Sequence, residues 1–174
     1  MKRLFIVVVL CTICLSLTAC DPSPYRYDRE ELRNDVVGIE LISYDNPQQK
    51  RFKSWVPNHY SKLRSFDLSN MKILETLDSE QFDGFITQLS DTTLLYRYYA
   101  FDSPNGICIR LLYSNGDFEV ITCDYENNSF QGYAGRYNSS GEVLDFAGTF
   151  DDIVVFYRLV ENYFETQLRP ADKR

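Results

Sequence analysis

Two stretches of the chain repeat apolar residues at helical spacing, and short alternating segments lie between them. The first stretch follows Asp78 and Gln81, which stand at capping-box spacing, and its apolar positions fit one buried helix face: Phe82, Phe85, Ile86 and Leu89. The second begins near Asp151 and ends before Pro170, and its apolar stripe contains Ile153, Phe156, Leu159, Val160, Tyr163 and Phe164. The sequence therefore predicts two amphipathic helices.

The region between these helices is typical of an antiparallel meander, because short β-rich runs alternate with Asn, Gly, Ser and Pro turn signals. The predicted strands are residues 93–100, 107–114, 117–124, 130–137 and 142–147. An earlier strand, 36–44, follows a short helix that Asp28 and Glu31 cap, and residues 73–77 predict a brief strand. We expect a two-layer α+β domain in which an antiparallel meander sheet packs against the two amphipathic helices.

One turn in the meander predicts a pairing of cysteines. If Asn115-Gly116 forms a two-residue hairpin turn, Ser114 pairs with Asp117, and Cys108 pairs with Cys123 farther along the strands. Directly opposed residues lie within disulfide range, so the sequence predicts a Cys108–Cys123 disulfide, with two buried, reduced cysteines as the alternative. The same register places these residues on one core face: Ile109, Leu111, Tyr113, Phe118 and Val120. It places Arg110, Leu112, Glu119 and Ile121 on the other face.

The N-terminus has the pattern of a secretory signal. Lys2 and Arg3 precede an apolar stretch, from Leu4 to Leu17, that is shorter than the roughly 20 residues of a spanning helix. The stretch ends in Leu17-Thr18-Ala19-Cys20, which resembles the lipobox of bacterial lipoproteins. The resemblance implies that the signal, residues 1–19, is removed before Cys20 and that Cys20 carries diacylglycerol and acyl chains such as palmitate. It also implies a location at the cell membrane, on the extracytoplasmic face.

Length and charge predict that the mature chain is a single acidic domain. Removal of residues 1–19 leaves 155 residues with a formal net charge of −9, because the signal holds two basic residues and no acid. This length predicts a single domain, residues 28–174. Pro22 and Pro24 favour extended backbone and predict a short tether before it, residues 20–27. An acidic chain is a poor partner for nucleic acid, since phosphate contacts need Lys and Arg.

One segment departs from this acidic balance. Between Asn46 and Phe66 there are five basic residues and no acid, together with the chain's only Trp and only His. Basic and aromatic side chains on one connection suit a protein, an anionic glycan or lipid headgroups as partner. A solvated loop is the alternative interpretation. The candidate partner-binding residues are Lys50, Arg51, Lys53, Trp55, His59, Tyr60, Lys62 and Arg64.

The sequence predicts no catalytic residues, no cofactor and no metal ligands. It contains no phosphate-binding glycine loop, no G-x-S-x-G elbow and no H-E-x-x-H motif, and any His-dependent mechanism has only His59. The general pattern is similar to small bacterial lipoproteins of unknown function. We therefore expect a non-enzymatic envelope lipoprotein that binds or inhibits a partner, as an immunity or accessory protein does. The alternatives are an envelope hydrolase and a structural subunit of a membrane assembly.

Overall fold

A computed structural model of the chain describes residues 25–45, 65–94, 106–123, 132–150 and 154–166. In these ranges there are three α-helices, α1 (Arg29–Asp35), α2 (Phe82–Ser90) and α3 (Val154–Tyr163). Short 3₁₀ turns cover Leu68–Asn70 and Ser79–Gln81. The strands are β1 (Tyr25–Arg26), β2 (Val36–Tyr44), β3 (Met71–Thr76), β4 (Thr93–Leu94), β5 (Gly106–Tyr113), β6 (Phe118–Cys123), β7 (Gly132–Tyr137) and β8 (Val143–Phe150).

Six of these strands form one antiparallel sheet in the order β3-β2-β5-β6-β7-β8. Four consecutive strands, β5 to β8, are neighbours in the sheet, which confirms the last four runs of the predicted meander. The first predicted run, 93–100, is described only at Thr93–Leu94, and these residues pair outside this sheet. β1 and β4 form a separate antiparallel ribbon. The sheet and helices confirm the predicted α+β class.

The helices cover one face of the sheet, which we call the helix face. Its buried residues include Ile39 and Leu41 of β2, Ile109 and Leu111 of β5, and Ile121 of β6. The apolar helix positions predicted from the sequence pack against them: Phe85, Ile86, Leu89, Phe156, Leu159, Val160 and Phe164 are buried, and Phe82 and Tyr163 are partly buried. Burial of these apolar side chains holds the two layers together.

The two predicted N-terminal caps behave differently. The side chain of Asp28 accepts hydrogen bonds from the backbone N–H of Glu30 and of Glu31, which confirms Asp28 as the N-cap of α1. Asp78 makes no side-chain capping bond, and a 3₁₀ turn at Ser79–Gln81 precedes α2 instead. The capping box predicted before α2 is therefore wrong, because the tighter first turn supplies the initial backbone bonds.

The predicted register of the β5–β6 hairpin is wrong by one residue. The N–H of Tyr113 donates to the carbonyl of Asp117 at 2.9 Å, and the N–H of Gly116 donates to the carbonyl of Tyr113 at 2.9 Å. With Gly116 at φ +88°, the loop has three residues and ends in a left-handed glycine. The two-residue turn that carried the disulfide prediction is absent from this hairpin.

The shifted register places Thr122, rather than Cys123, opposite Cys108. Cys108 Sγ lies 3.2 Å from Thr122 Oγ1, and the described residues contain no disulfide. The geometric basis for a Cys108–Cys123 bridge is therefore lost, while the side chain of Cys123 lies outside the described part of the structure.

The same shift exchanges the faces of β6, since a one-residue slip reverses every side chain of a strand. Ile121 and Glu119 lie on the helix face with Ile109 and Leu111, to which they are paired. Phe118 and Val120 belong instead to a second buried cluster on the opposite face. The predicted grouping of Phe118 and Val120 with Ile109 is thus wrong.

Candidate functional site

The face of the sheet opposite the helices, which we call the second face, carries its own buried cluster. The cluster contains Ile42, Tyr44, Phe66, Cys108, Phe118, Val120 and Tyr137, with Met71, Leu112 and Val143 packed against it. Phe66 comes from the end of the predicted partner-binding segment, which we call the basic segment, residues 46–66. This cluster therefore joins the segment to the sheet.

Phe66 is the centre of the aromatic contacts in this cluster. Its ring is stacked on Tyr44 with centroids 4.1 Å apart, and it lies 5.4 Å from the ring of Phe118 and 5.5 Å from that of Tyr137. Only 1% of Phe66 is exposed. Each such aromatic pair stabilises the fold by roughly 0.5–1.5 kcal/mol beyond the effect of its buried apolar area. These contacts therefore hold Phe66, and with it the end of the basic segment, against the sheet.

Backbone hydrogen bonds fix both ends of the basic segment. At the first end, the N–H of Asp45 donates to the carbonyl of Asn70 at 3.1 Å. At the second end, the N–H of Phe66 donates to the carbonyl of Gly141, and the N–H of Asp67 donates to the hydroxyl of Tyr44 at 3.0 Å. The segment thus leaves and re-enters the domain beside Tyr44.

The predicted binding residues themselves lie outside the described ranges. These are Lys50, Arg51, Lys53, Trp55, His59, Tyr60, Lys62 and Arg64. Cys20 also lies outside the described residues.

A buried ion pair lies on the second face beside the aromatic cluster. Arg110 of β5 is opposite Glu40 of β2, and Arg110 Nε donates to Glu40 Oε2 at 2.8 Å. Glu40 is 7% exposed and Arg110 is 8% exposed. The guanidinium also lies 5.7 Å from the ring centroid of Phe118. The pair places two compensating charges under the cluster, where each is satisfied by the other.

Two tyrosine hydroxyls in the cluster stay protonated at neutral pH. Burial raises the pKa of Tyr44 and, more strongly, that of Tyr137. The Tyr44 hydroxyl accepts the hydrogen bond from Asp67, whereas the buried hydroxyl of Tyr137 has no hydrogen-bond partner among the described residues.

On the helix face, one carboxyl group is buried. Glu119 is 3% exposed and accepts hydrogen bonds from the hydroxyls of Tyr27 and Tyr113. Burial raises its pKa, and the two hydroxyls partly offset that rise. Because Tyr27 lies just before α1, this contact holds the start of the described chain against the sheet.

Within the described ranges, no three His, Cys, Asp or Glu side chains come together as a metal site would require. No described helix has the length and apolar character needed to cross a membrane.

Several residues of the second face could not be assigned to it from the sequence. Phe66 lies in a segment without periodicity, and its contact with Gly141 joins distant parts of the chain. Glu40 and Arg110 carried a usable signal, since each is a charged residue inside an otherwise apolar strand. Opposite charges at such positions indicate a cross-strand pair once the strands are known to be neighbours.

Comparison of this chain with protein-family models, with curated proteins and with solved structures finds no match.

Proposed function

We propose that this protein is a lipid-anchored envelope protein whose domain acts as a non-enzymatic binding module of the inhibitor, immunity or accessory kind. Its partner contacts the basic segment. The observation that carries this proposal is the separation of charge along the chain, combined with the fixed ends of the basic segment.

The lipid anchor is supported by Leu17-Thr18-Ala19-Cys20. The first described residue, Tyr25, is five positions after Cys20 and belongs to β1. Five residues span at most about 18 Å, at up to ~3.6 Å each. A lipid on Cys20 would therefore hold the folded domain close to the bilayer surface, and two or three acyl chains anchor stably where one does not.

The charge of the domain supports a distinct role for the basic segment. The described residues include 18 acidic and 7 basic side chains, whereas the segment holds five basic residues and no acid. Anionic groups are attracted to such a segment over about 8 Å at physiological salt. Because the scaffold fixes both of its ends, less conformational freedom is lost on binding than in a free tail.

The anchor is tested by replacing Cys20 with Ala in cells that export the protein. The variant should lose the mass of the lipid and its partition into the detergent phase, and the signal should remain uncut or be cut elsewhere. If Cys20→Ala leaves both the mass of the mature chain and its membrane partition unchanged, the anchor is refuted.

The binding role is tested by charge reversal in the basic segment. Lys50, Arg51 and Lys53 are changed together to Glu, and Arg26→Glu with Arg158→Glu serves as a control at exposed positions outside the segment. Binding is measured to anionic vesicles with an unlipidated chain, and to crosslinked partners in intact cells. We expect salt-sensitive vesicle binding, partner crosslinking or both to fall in the triple variant alone. If neither measurement changes, or if the control falls equally, the segment is not the binding surface.

A further inference from the structure

β3 lies at an edge of the six-stranded sheet. It pairs with β2 on one side, and no described strand pairs with its other side. The opposite edge strand, β8, contacts β4 of the two-stranded ribbon. An unpaired edge offers backbone N–H and C=O groups that can accept a further strand.

β3 exposes more of its side chains than β2 or β5, and two of the exposed side chains are apolar. Ile73 is 46% exposed and Leu74 is 38% exposed, and Leu68, in the turn before the strand, is 37% exposed. Lys72 and Thr76 are also exposed. Apolar side chains beside an open edge supply the pockets by which an added strand is selected.

Acidic residues lie at both ends of this strand and within it. Asp67 precedes β3, Asp78 follows it, and both are exposed. Glu75 lies within the strand, where its carboxylate accepts hydrogen bonds from the N–H groups of Glu165 and Thr166. Hydrogen bonds from Ser69 lower the pKa of Asp67, which keeps that carboxylate charged. Lys72 is the one basic residue of the strand.

These charges argue against a second copy of the chain as the occupant. Two copies joined edge to edge would bring two sets of acidic residues together, and these would repel each other. In addition, Leu41 pairs with Glu75 while Ile42 pairs with Ile73, which leaves Leu74 as a bulge. A bulge and a lysine on an edge strand oppose indiscriminate strand pairing, so a suitable occupant needs complementary charge as well as strand character.

We propose that the outer edge of β3 binds an extended peptide segment with alternating apolar and basic residues, which adds to the sheet as a seventh strand. The apolar residues of the segment pack on Ile73 and Leu74, and its basic residues meet the exposed carboxylates of Asp67 and Asp78 at the two ends of the strand. This surface is separate from the basic segment and does not depend on the lipid anchor.

The proposal is tested by selecting random eight-residue peptides, displayed on phage, against the full-length protein. Selection should enrich peptides that alternate β-branched or aromatic residues with Lys or Arg. A synthetic peptide of the enriched sequence should bind more weakly at high salt. It should also slow amide hydrogen exchange in Met71–Thr76. N-methylation of alternate peptide bonds should abolish binding, because an added strand requires those N–H donors.

Ile73→Lys is the diagnostic variant, and Val37→Lys is its control. Val37 is 60% exposed on the neighbouring strand β2, so Val37→Lys adds the same charge at a position away from the outer edge of β3. Ile73→Lys should weaken the binding of the synthetic peptide about tenfold, while Val37→Lys should leave its binding unchanged. Thermal unfolding of both variants establishes that they fold.

The proposal is overturned if selection enriches no alternating peptide or if the N-methylated peptide still binds. It is also overturned if the peptide slows amide hydrogen exchange only at residues outside β3. Slowed exchange in β3 that depends on protein concentration and needs no peptide would assign the edge to a second copy and also overturn it. If Ile73→Lys fails to fold, the exchange and N-methylation results decide. Charge reversal of Lys50, Arg51 and Lys53 should leave peptide binding intact. The peptide experiment and the test of the basic segment can therefore fail independently.

Discussion

The backbone N–H of Phe66 donates to the carbonyl oxygen of Gly141 at 2.6 Å, across 75 positions of the chain. Gly141 has φ +85°, and a Cβ atom at this position would collide with the carbonyl oxygen of Phe66. The turn between β7 and β8 therefore depends on glycine for two reasons, its backbone conformation and the close approach of Phe66.

We predict that Gly141→Ala lowers the free energy of unfolding much more than Gly106→Ala. Gly106 has φ +76°, but a Cβ there meets no atom within 4 Å, so its replacement adds only backbone strain of about 1 kcal/mol. Gly141→Ala should cost at least ~2 kcal/mol more, since a backbone atom must also move. Urea denaturation of both variants measures the difference, and equal losses would show that Phe66 does not approach Gly141.

Local signals predicted the elements of this fold well. The Asp28 cap, the apolar stripe of α2 and the alternating runs of β5 to β8 each depend on residues close in sequence, which is where propensity and periodicity operate. The meander then followed from short connections between consecutive strands.

The hairpin register could not be read from Asn115-Gly116, because this dipeptide suits both a two-residue and a three-residue loop. In the structure, Asn115 Oδ1 accepts a hydrogen bond from the N–H of Asp117 at 2.9 Å. This local bond accompanies the longer loop and moves Thr122 opposite Cys108. The burial of the second face was missed because it depends on the long-range contact of Phe66.

The Tyr137 hydroxyl provides a second prediction. It is buried without a hydrogen-bond partner among the described residues, so Tyr137→Phe should leave the free energy of unfolding unchanged or raise it by up to about 1 kcal/mol. Tyr44→Phe is the matched control, because it removes the acceptor of the Asp67 N–H and should lower stability by about 1 kcal/mol. Urea denaturation should rank the two variants in this order. A loss in Tyr137→Phe as large as that in Tyr44→Phe would contradict it.

The Glu40–Arg110 pair provides a third prediction. Arg110→Met leaves a buried carboxylate without its partner and should lower stability by about 3–5 kcal/mol, and Glu40→Leu should have a comparable effect. The double variant should recover most of this loss, because two apolar side chains need no partner. A double-mutant cycle in urea measures the coupling. Additive losses would show that the two charges do not depend on each other.

The last prediction concerns pH and the buried carboxyl of Glu119. Its pKa is raised above the ordinary value of 4.5, mainly by burial, so the folded protein holds this proton more tightly than the unfolded chain. The favourable contribution of protonated Glu119 is therefore present at low pH and is lost as pH rises from about 4.5 through the raised pKa. Glu119→Gln, which keeps the shape without the charge, should be more stable than the unmodified protein at neutral pH, and its advantage should shrink on acidification.

Asp67 supplies a control of opposite sign. Hydrogen bonds from Ser69 lower the pKa of Asp67 below 3.8, so its contribution is present above that value and is lost as pH falls through the lowered pKa. Asp67→Asn should therefore be less stable than the unmodified protein at neutral pH, and the deficit should shrink on acidification. Urea denaturation between pH 3 and pH 8 separates the two cases. If Glu119→Gln is destabilising at neutral pH, the hydrogen bonds from Tyr27 and Tyr113 outweigh the cost of burying the charge, and the direction assigned to the pKa of Glu119 is wrong.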